Sequence, residues 1–130
     1  ACFACHKLGG AGRDLGPDLT QIGARLNRQQ LLEGLTHPSR TIAPEYRVWN
    51  IETRDDESLT GFIVNQGRET LTLKLATGQS QTLQSSRVAS QKPQPLSLMP
   101  EGLLDFVTEQ EAADLLAYLR SLNQAKSPHN

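Results

Sequence analysis

Cysteine occurs only at positions 2 and 5 of this chain, and a histidine, His6, follows the second thiol directly. A disulfide between Cys2 and Cys5 would close a loop too short to restrain distant segments, and no third thiol exists for a longer bridge. The fold must therefore be held by an ordinary apolar core, and the two thiols need a local use. At 130 residues the chain suits one domain able to bury about two-thirds of its unfolded surface. Hydrophobic residues make up 37% and aromatic residues 5%. That supply is lean, so an apolar group other than side chains is expected to complete the core.

Thirteen Lys and Arg stand against 14 Asp and Glu, for a formal net charge of -1. This near-neutral balance speaks against a dedicated nucleic-acid binder, which carries a basic patch. No run approaches the roughly 18 apolar residues of a membrane-spanning helix, so no transmembrane segment is expected. Ala1 alone precedes Cys2, so neither the charged nor the apolar region of a secretory leader is read here.

Residues 7–27 are rich in Gly and Leu and read as a loop with turns. Asn27, with Gln30 three residues on, predicts a capping box. The helix it opens carries Leu31, Leu32 and Leu35 and stops before Pro38, because the residue preceding proline avoids the α region. Between 46 and 91 the pattern changes. Tyr46, Val48, Trp49 and Ile51 suggest a strand, Leu59 to Val64 a second, and Leu71, Leu73 and Leu75 alternate with polar residues as a third. Weaker strands follow at Gln81 to Leu83 and Arg87 to Ala89, so the segment reads as an antiparallel meander. Residues 90–100 form a Pro-rich connection. Thr108 and Glu111 predict a second capping box, ahead of a helix whose apolar stripe is Ala112, Leu115, Leu116, Leu119 and Leu122. The expected organisation is a single domain over 1–130: a first helical part at 1–45, the β insert at 46–91, a loop and helix at 92–123, and a polar tail at 124–130.

The chemistry concentrates at the start. Cys-x-x-Cys-His is the attachment motif for a c-type haem. Two thiols one helical turn apart add across the two porphyrin vinyl groups, and the adjoining histidine is held under the iron. The same residues could form a redox-active pair beside a bystander histidine, or three ligands of a structural metal module, although no second Cys pair completes a zinc site. Gly16-Pro17-Asp18-Leu19 lies ten residues further on, where the Pro17 carbonyl suits the second imidazole nitrogen of His6. Met99, the only methionine, sits beside Pro100 in an irregular stretch, and a thioether there suits the sixth position of the iron. Arg25, Arg40 and Trp49 are candidate donors to haem propionates, since a buried carboxylate needs partners. Tyr118 and Leu119, on the last helix, are candidates for packing against the macrocycle. His37 before Pro38 and His129 in the tail read as loop and solvated residues. Asp55, Asp56 and Glu57 read as a solvated turn, not a calcium loop.

With these residues the chain resembles class I cytochrome c, in Cys2-x-x-Cys5-His6, Gly16-Pro17-Asp18-Leu19, Met99-Pro100 and the run Ala113 to Leu119. More narrowly, Thr36-His37-Pro38-Ser39-Arg40, Ile42-Ala43-Pro44-Glu45-Tyr46 and Leu59-Thr60-Gly61 are similar to the haem-binding domain common in planctomycetes and verrucomicrobia. The resemblance implies a mainly α, cytochrome c-like haem-binding fold, with the antiparallel β-meander of about 46–91 as an insert. It implies one covalently bound haem c, axial ligation by His6 and Met99, and one-electron transfer with no substrate chemistry. It also implies a periplasmic or otherwise extracytoplasmic location, and a redox partner protein or an upstream dehydrogenase domain. Two departures stand out. The helix that usually precedes the motif is replaced by Ala1 alone, and the interval from His6 to Met99 is long, filled by the meander, for which an SH3-like or Sm-like small barrel is one arrangement. Without the preceding helix, the stripe on the last helix is expected to be covered by the meander or left open to self-association. Two other functions remain at this point. One is a haem sensor or peroxidase-like domain with an open sixth site, and the other is the metal module without haem.

Overall fold

The structure, a computed structural model, describes residues 1–123, which form two compact units. One comprises Ala1–Arg40 and the chain from Pro100 on, and the other comprises Thr41–Met99. The polar tail and His129 lie outside the described residues.

The first unit opens on a 3₁₀ turn, Cys2–Ala4, followed by a two-stranded hairpin of β1 (Lys7–Leu8) and β2 (Ala11–Gly12). Gly9 and Gly10 take φ of 58° and 93° at the two central positions, the left-handed pair that a two-residue hairpin turn requires. Helices α1 (Ile22–Arg25), α2 (Arg28–Thr36) and α3 (Glu109–Ser121) complete the unit. Both capping boxes are formed. Asn27 Oδ1 accepts from the Gln30 amide at 2.9 Å while the Gln30 side chain accepts from the Asn27 amide at 3.0 Å. The Thr108 hydroxyl and the Glu111 carboxylate exchange the same pair of bonds at 3.1 Å each. Glu109 and Glu111 in the first turn of α3, and Arg120 in its last, complement the helix dipole.

The apolar core of this unit is Leu15, Ile22, Leu31, Leu35, Leu116 and Leu119. Helix α3 packs on both α1 and α2, and the Gly23 amide donates to the Leu122 carbonyl at 2.9 Å. No residue of the α3 stripe is left exposed: Leu116 and Leu119 are buried, and Ala112, Leu115 and Leu122 are half-buried. Within the unit, α1 and α2 pack on this helix. Residues 7–27, expected as loop and turns, hold the hairpin and α1. Three residues of α1 are Gly, Ala and Ile, whose apolar periodicity is too short to register.

The second unit is a five-stranded antiparallel sheet built from β3 (Val48–Thr53), β4 (Ser58–Gln66), β5 (Thr70–Leu75), β6 (Ser80–Gln84) and β7 (Val88–Pro93), in the order β6-β5-β4-β3-β7. Ile51, Leu71, Leu73 and Leu83 form its core, with Trp49, Leu59, Ile63, Leu75 and Val88 packed around them. Leu71 stands opposite Leu83, so the period-two pattern puts both on one face. The Thr72 and Thr82 hydroxyls, on the opposite face, meet at 3.0 Å. Phe62 and Val48 are also buried, and Tyr46, in the 3₁₀ turn Pro44–Tyr46, meets the Phe62 ring edge-on at 5.8 Å.

The mainly α class expected from the resemblance is overturned: helix accounts for about 28% of the chain, and a five-stranded and a two-stranded sheet make it mostly β. The three helices are short, and the strands reach beyond the segment assigned to the insert, as far as Pro93. The sheet is not a simple meander either. A meander would seat β7 beside β6, whereas β7 returns to pair with β3, Ile51 opposite Gln91 and Trp49 opposite Pro93. Pro93 is tolerated because β7 is an edge strand, where a missing amide costs no ladder bond. The Pro-rich reading of 90–100 had placed these residues in a connection.

Candidate functional site

The Cys2–Ala4 turn is closed by the Cys5 amide donating to the Cys2 carbonyl at 3.1 Å and the His6 amide to the same carbonyl at 2.8 Å. Cys2 opens this turn and Cys5 caps it. Neither thiol is in a disulfide; Cys2 is exposed and Cys5 half-buried, as is His6.

The chain then returns to the motif. The Leu15 and Gly16 amides donate to the Cys5 carbonyl at 2.9 and 2.6 Å, and the Leu19 amide donates to the Lys7 carbonyl at 2.8 Å. Between these anchors the Pro17 carbonyl lies 2.6 Å from His6 Nδ1. A carbonyl can only accept, so the neutral ring carries its proton on Nδ1 and leaves the lone pair on Nε2 free for a metal. Gly16 makes this approach feasible. A Cβ there would stand 2.6 Å from His6 Cε1 and 2.9 Å from Nδ1, inside van der Waals contact.

The loop carries further bonds. The Thr20 hydroxyl donates to Asp18 Oδ1 at 2.5 Å and the Thr20 amide to the same oxygen at 2.8 Å. The Gly9 amide donates to the Thr20 hydroxyl at 2.9 Å, and Arg25 Nη2 donates to the Asp18 carbonyl at 2.7 Å. The Thr20 hydroxyl first, then its amide, hold the Asp18 carboxyl below the usual carboxylate value, with smaller contributions from the Lys7 and Arg25 charges. Asp18 enters the sequence reading only as part of the Gly16-Pro17-Asp18-Leu19 run, and Thr20 does not enter it, although Asp-x-Thr is a turn signature in which the carboxylate bonds two residues ahead.

The other candidates fall in both units. Arg25 is engaged with the Asp18 carbonyl, and Arg40 is exposed and 3.6 Å from the Glu33 carboxylate. Leu119 is buried in the helical core, whereas Tyr118 is 51% exposed. His37 Nδ1 is 2.9 Å from the Thr36 hydroxyl. Trp49 packs against the core of the β unit, and Met99 closes that unit, half-buried, its amide donating to Ser97 Oγ at 3.1 Å. Asp55 meets Arg87 at 3.0 Å in the exposed turn after β3. Among the described residues, no group of three or more His, Cys, Asp and Glu is placed to hold a metal ion, and no helix is long and apolar enough to cross a membrane.

The donor set of this motif, two free thiols on one turn and an imidazole with its Nε2 lone pair released, fits a covalently attached haem. No protein-family model matches the chain, and no curated protein matches its sequence.

Proposed function

We propose that this chain is a monohaem c-type electron-transfer domain, working as a module of a larger periplasmic redox protein. The observation that carries the reading is the 2.6 Å approach of His6 Nδ1 to the Pro17 carbonyl, directly after a turn that Cys2 opens and Cys5 caps. A bystander histidine has no need of a glycine beneath its ring or of an acceptor anchored to the same turn. The proposal concerns the chemistry of the motif and does not depend on the mainly α class.

When bound, haem c supplies an Fe(III)/Fe(II) couple for one-electron transfer. Cys2 and Cys5 would hold the group through thioethers, each the product of S–H addition across a vinyl C=C. His6 would offer Nε2 to the iron while its Nδ1–H donates a hydrogen bond to the Pro17 carbonyl, which fixes ring orientation and would strengthen the imidazole as a donor. Met99, the only methionine, is assigned to the sixth position from the sequence. Phe3, 53% exposed between the two cysteines, borders the edge through which an electron would pass to a redox partner protein or an upstream dehydrogenase domain. Covalent attachment of haem takes place outside the cytoplasm, which gives the extracytoplasmic location.

The test is an absorption spectrum of the chain produced together with a c-type haem attachment system. A Soret band and a sharp reduced α band that survive acid–acetone extraction are expected, with a weak methionine-to-iron charge-transfer band when oxidised. A high-spin spectrum would transfer the site to a sensor or peroxidase-like role. No Soret band at all would overturn the haem reading.

A further inference from the structure

We infer that Asp18 and Thr20 are positioning residues for His6, tying the loop that carries the Pro17 carbonyl to the hairpin turn at Gly9. The inference rests on the electron-transfer reading, because a haem-bound His6 is what makes the position of that carbonyl matter.

Pro17 has no amide proton of its own, so its carbonyl is aimed by its neighbours. On the upstream side Leu15 and Gly16 are bonded to Cys5. Downstream, the Leu19 amide reaches the Lys7 carbonyl, and the Thr20 hydroxyl takes the Gly9 amide at 2.9 Å while giving its own proton to Asp18 at 2.5 Å. Arg25 holds the Asp18 carbonyl at 2.7 Å. The loop is thus fastened to residues 5, 7 and 9, which flank His6 in sequence. Asp18 is exposed and Thr20 only half-buried, so apolar packing does not hold this part of the loop. Removing the hydroxyl leaves the Gly9 amide without its partner and leaves the Asp18 carboxylate held by the Thr20 amide alone. The Pro17 carbonyl then loses its fixed aim, and the Nδ1–H···O bond opens more often. A weaker bond at Nδ1 makes the imidazole a poorer donor to Fe(III), so the reduction potential rises.

The experiment compares the full chain with Thr20→Val, Thr20→Ser, Asp18→Ala and, as a control, Thr36→Val, which removes a hydroxyl bonded within α2. Two quantities are read: hydrogen exchange of the His6 Nδ1 proton by NMR, in the reduced state where haem is bound, and the reduction potential. Thr20→Val and Asp18→Ala are expected to speed exchange at least tenfold and raise the potential, Thr20→Ser to stay near the parent, and Thr36→Val to move neither. Unchanged exchange and potential in Thr20→Val and Asp18→Ala, with haem attached, would overturn the inference and leave the electron-transfer reading standing. A parent that takes up no covalent haem would overturn that reading instead, and exchange at His6 in the same chain would still decide whether the tie holds the ring. Should Thr20→Val fail to fold, Asp18→Ala decides.

Discussion

His6 Nδ1 and the Pro17 carbonyl oxygen lie 2.6 Å apart across 11 residues of chain, and Gly16 is the residue that allows it. Gly16→Ala sets a methyl against the imidazole, and either the ring or the loop must move. The expected cost is about 1–3 kcal/mol of stability, as for other overpacked sites, with a broadened or shifted haem spectrum. Gly34 gives the contrast. It is exposed in α2 with nothing within 4 Å of a Cβ, so Gly34→Ala should stabilise by about 0.5–1 kcal/mol. Thermal melts of the two variants, read beside their spectra, test both.

Met99→Ala should keep the haem, since the bonds to Cys2 and Cys5 do not involve it. The variant should show a lower potential and bind carbon monoxide when reduced. A spectrum and potential equal to the parent's would remove Met99 from the iron.

Leu73 is fully buried at the centre of the β unit, while Val64, at the irregularity in β4, is 54% exposed. Leu73→Ala should cost about 2–5 kcal/mol through lost transfer energy and the cavity left behind. Val64→Ala should stay within about 0.5 kcal/mol. Urea titrations followed by Trp49 fluorescence measure both changes in the unit that contains the tryptophan.

Asp55 provides a pH test. The Thr53 hydroxyl and then the Arg87 guanidinium hold its carboxyl below the usual value of 3.8. A depressed folded value means that the ionised carboxylate favours the folded state. Its contribution is whole above pH 3.8 and is lost as pH falls through the lower folded value. The difference in melting temperature between the parent and Asp55→Ala should therefore be constant near neutrality and shrink in acid below that point. The carboxylate is exposed, so the difference should also shrink in high salt.

Features decided by neighbours in the chain were legible. Asn27 with Gln30 and Thr108 with Glu111 form the capping boxes that their spacing announced, because a cap needs only one turn of backbone. Leu71, Leu73 and Leu75 alternate with polar residues, and the first two are fully buried in a strand. Pro17, read as the acceptor for His6, lies 2.6 Å from its Nδ1, in a loop that the Leu15 and Gly16 amides anchor to the Cys5 carbonyl. The tie through Asp18 and Thr20 escaped notice because its partner, Gly9, lies in a turn whose return toward residues 18–20 is not written in local periodicity.

By itself the sequence determined the starts of α2 and α3, the strand alternation and the grouping of Cys2, Cys5 and His6, all effects of residues a few positions apart. The tertiary structure alone decided the rest. It brought β7 back beside β3, across the intervening β4, β5 and β6, which turned an expected insert in a mainly α chain into the largest element of a mostly β one. It buried Phe62 and set the half-buried Tyr46 edge-on against it, and it packed Trp49 against the sheet core. It also packed α3 against α2 and against α1, the short helix that local hydrophobicity does not mark. The physical reason is range: caps and alternation are satisfied within a few residues, whereas strand partners and the faces that cover one another are selected by burial summed over the whole compact unit.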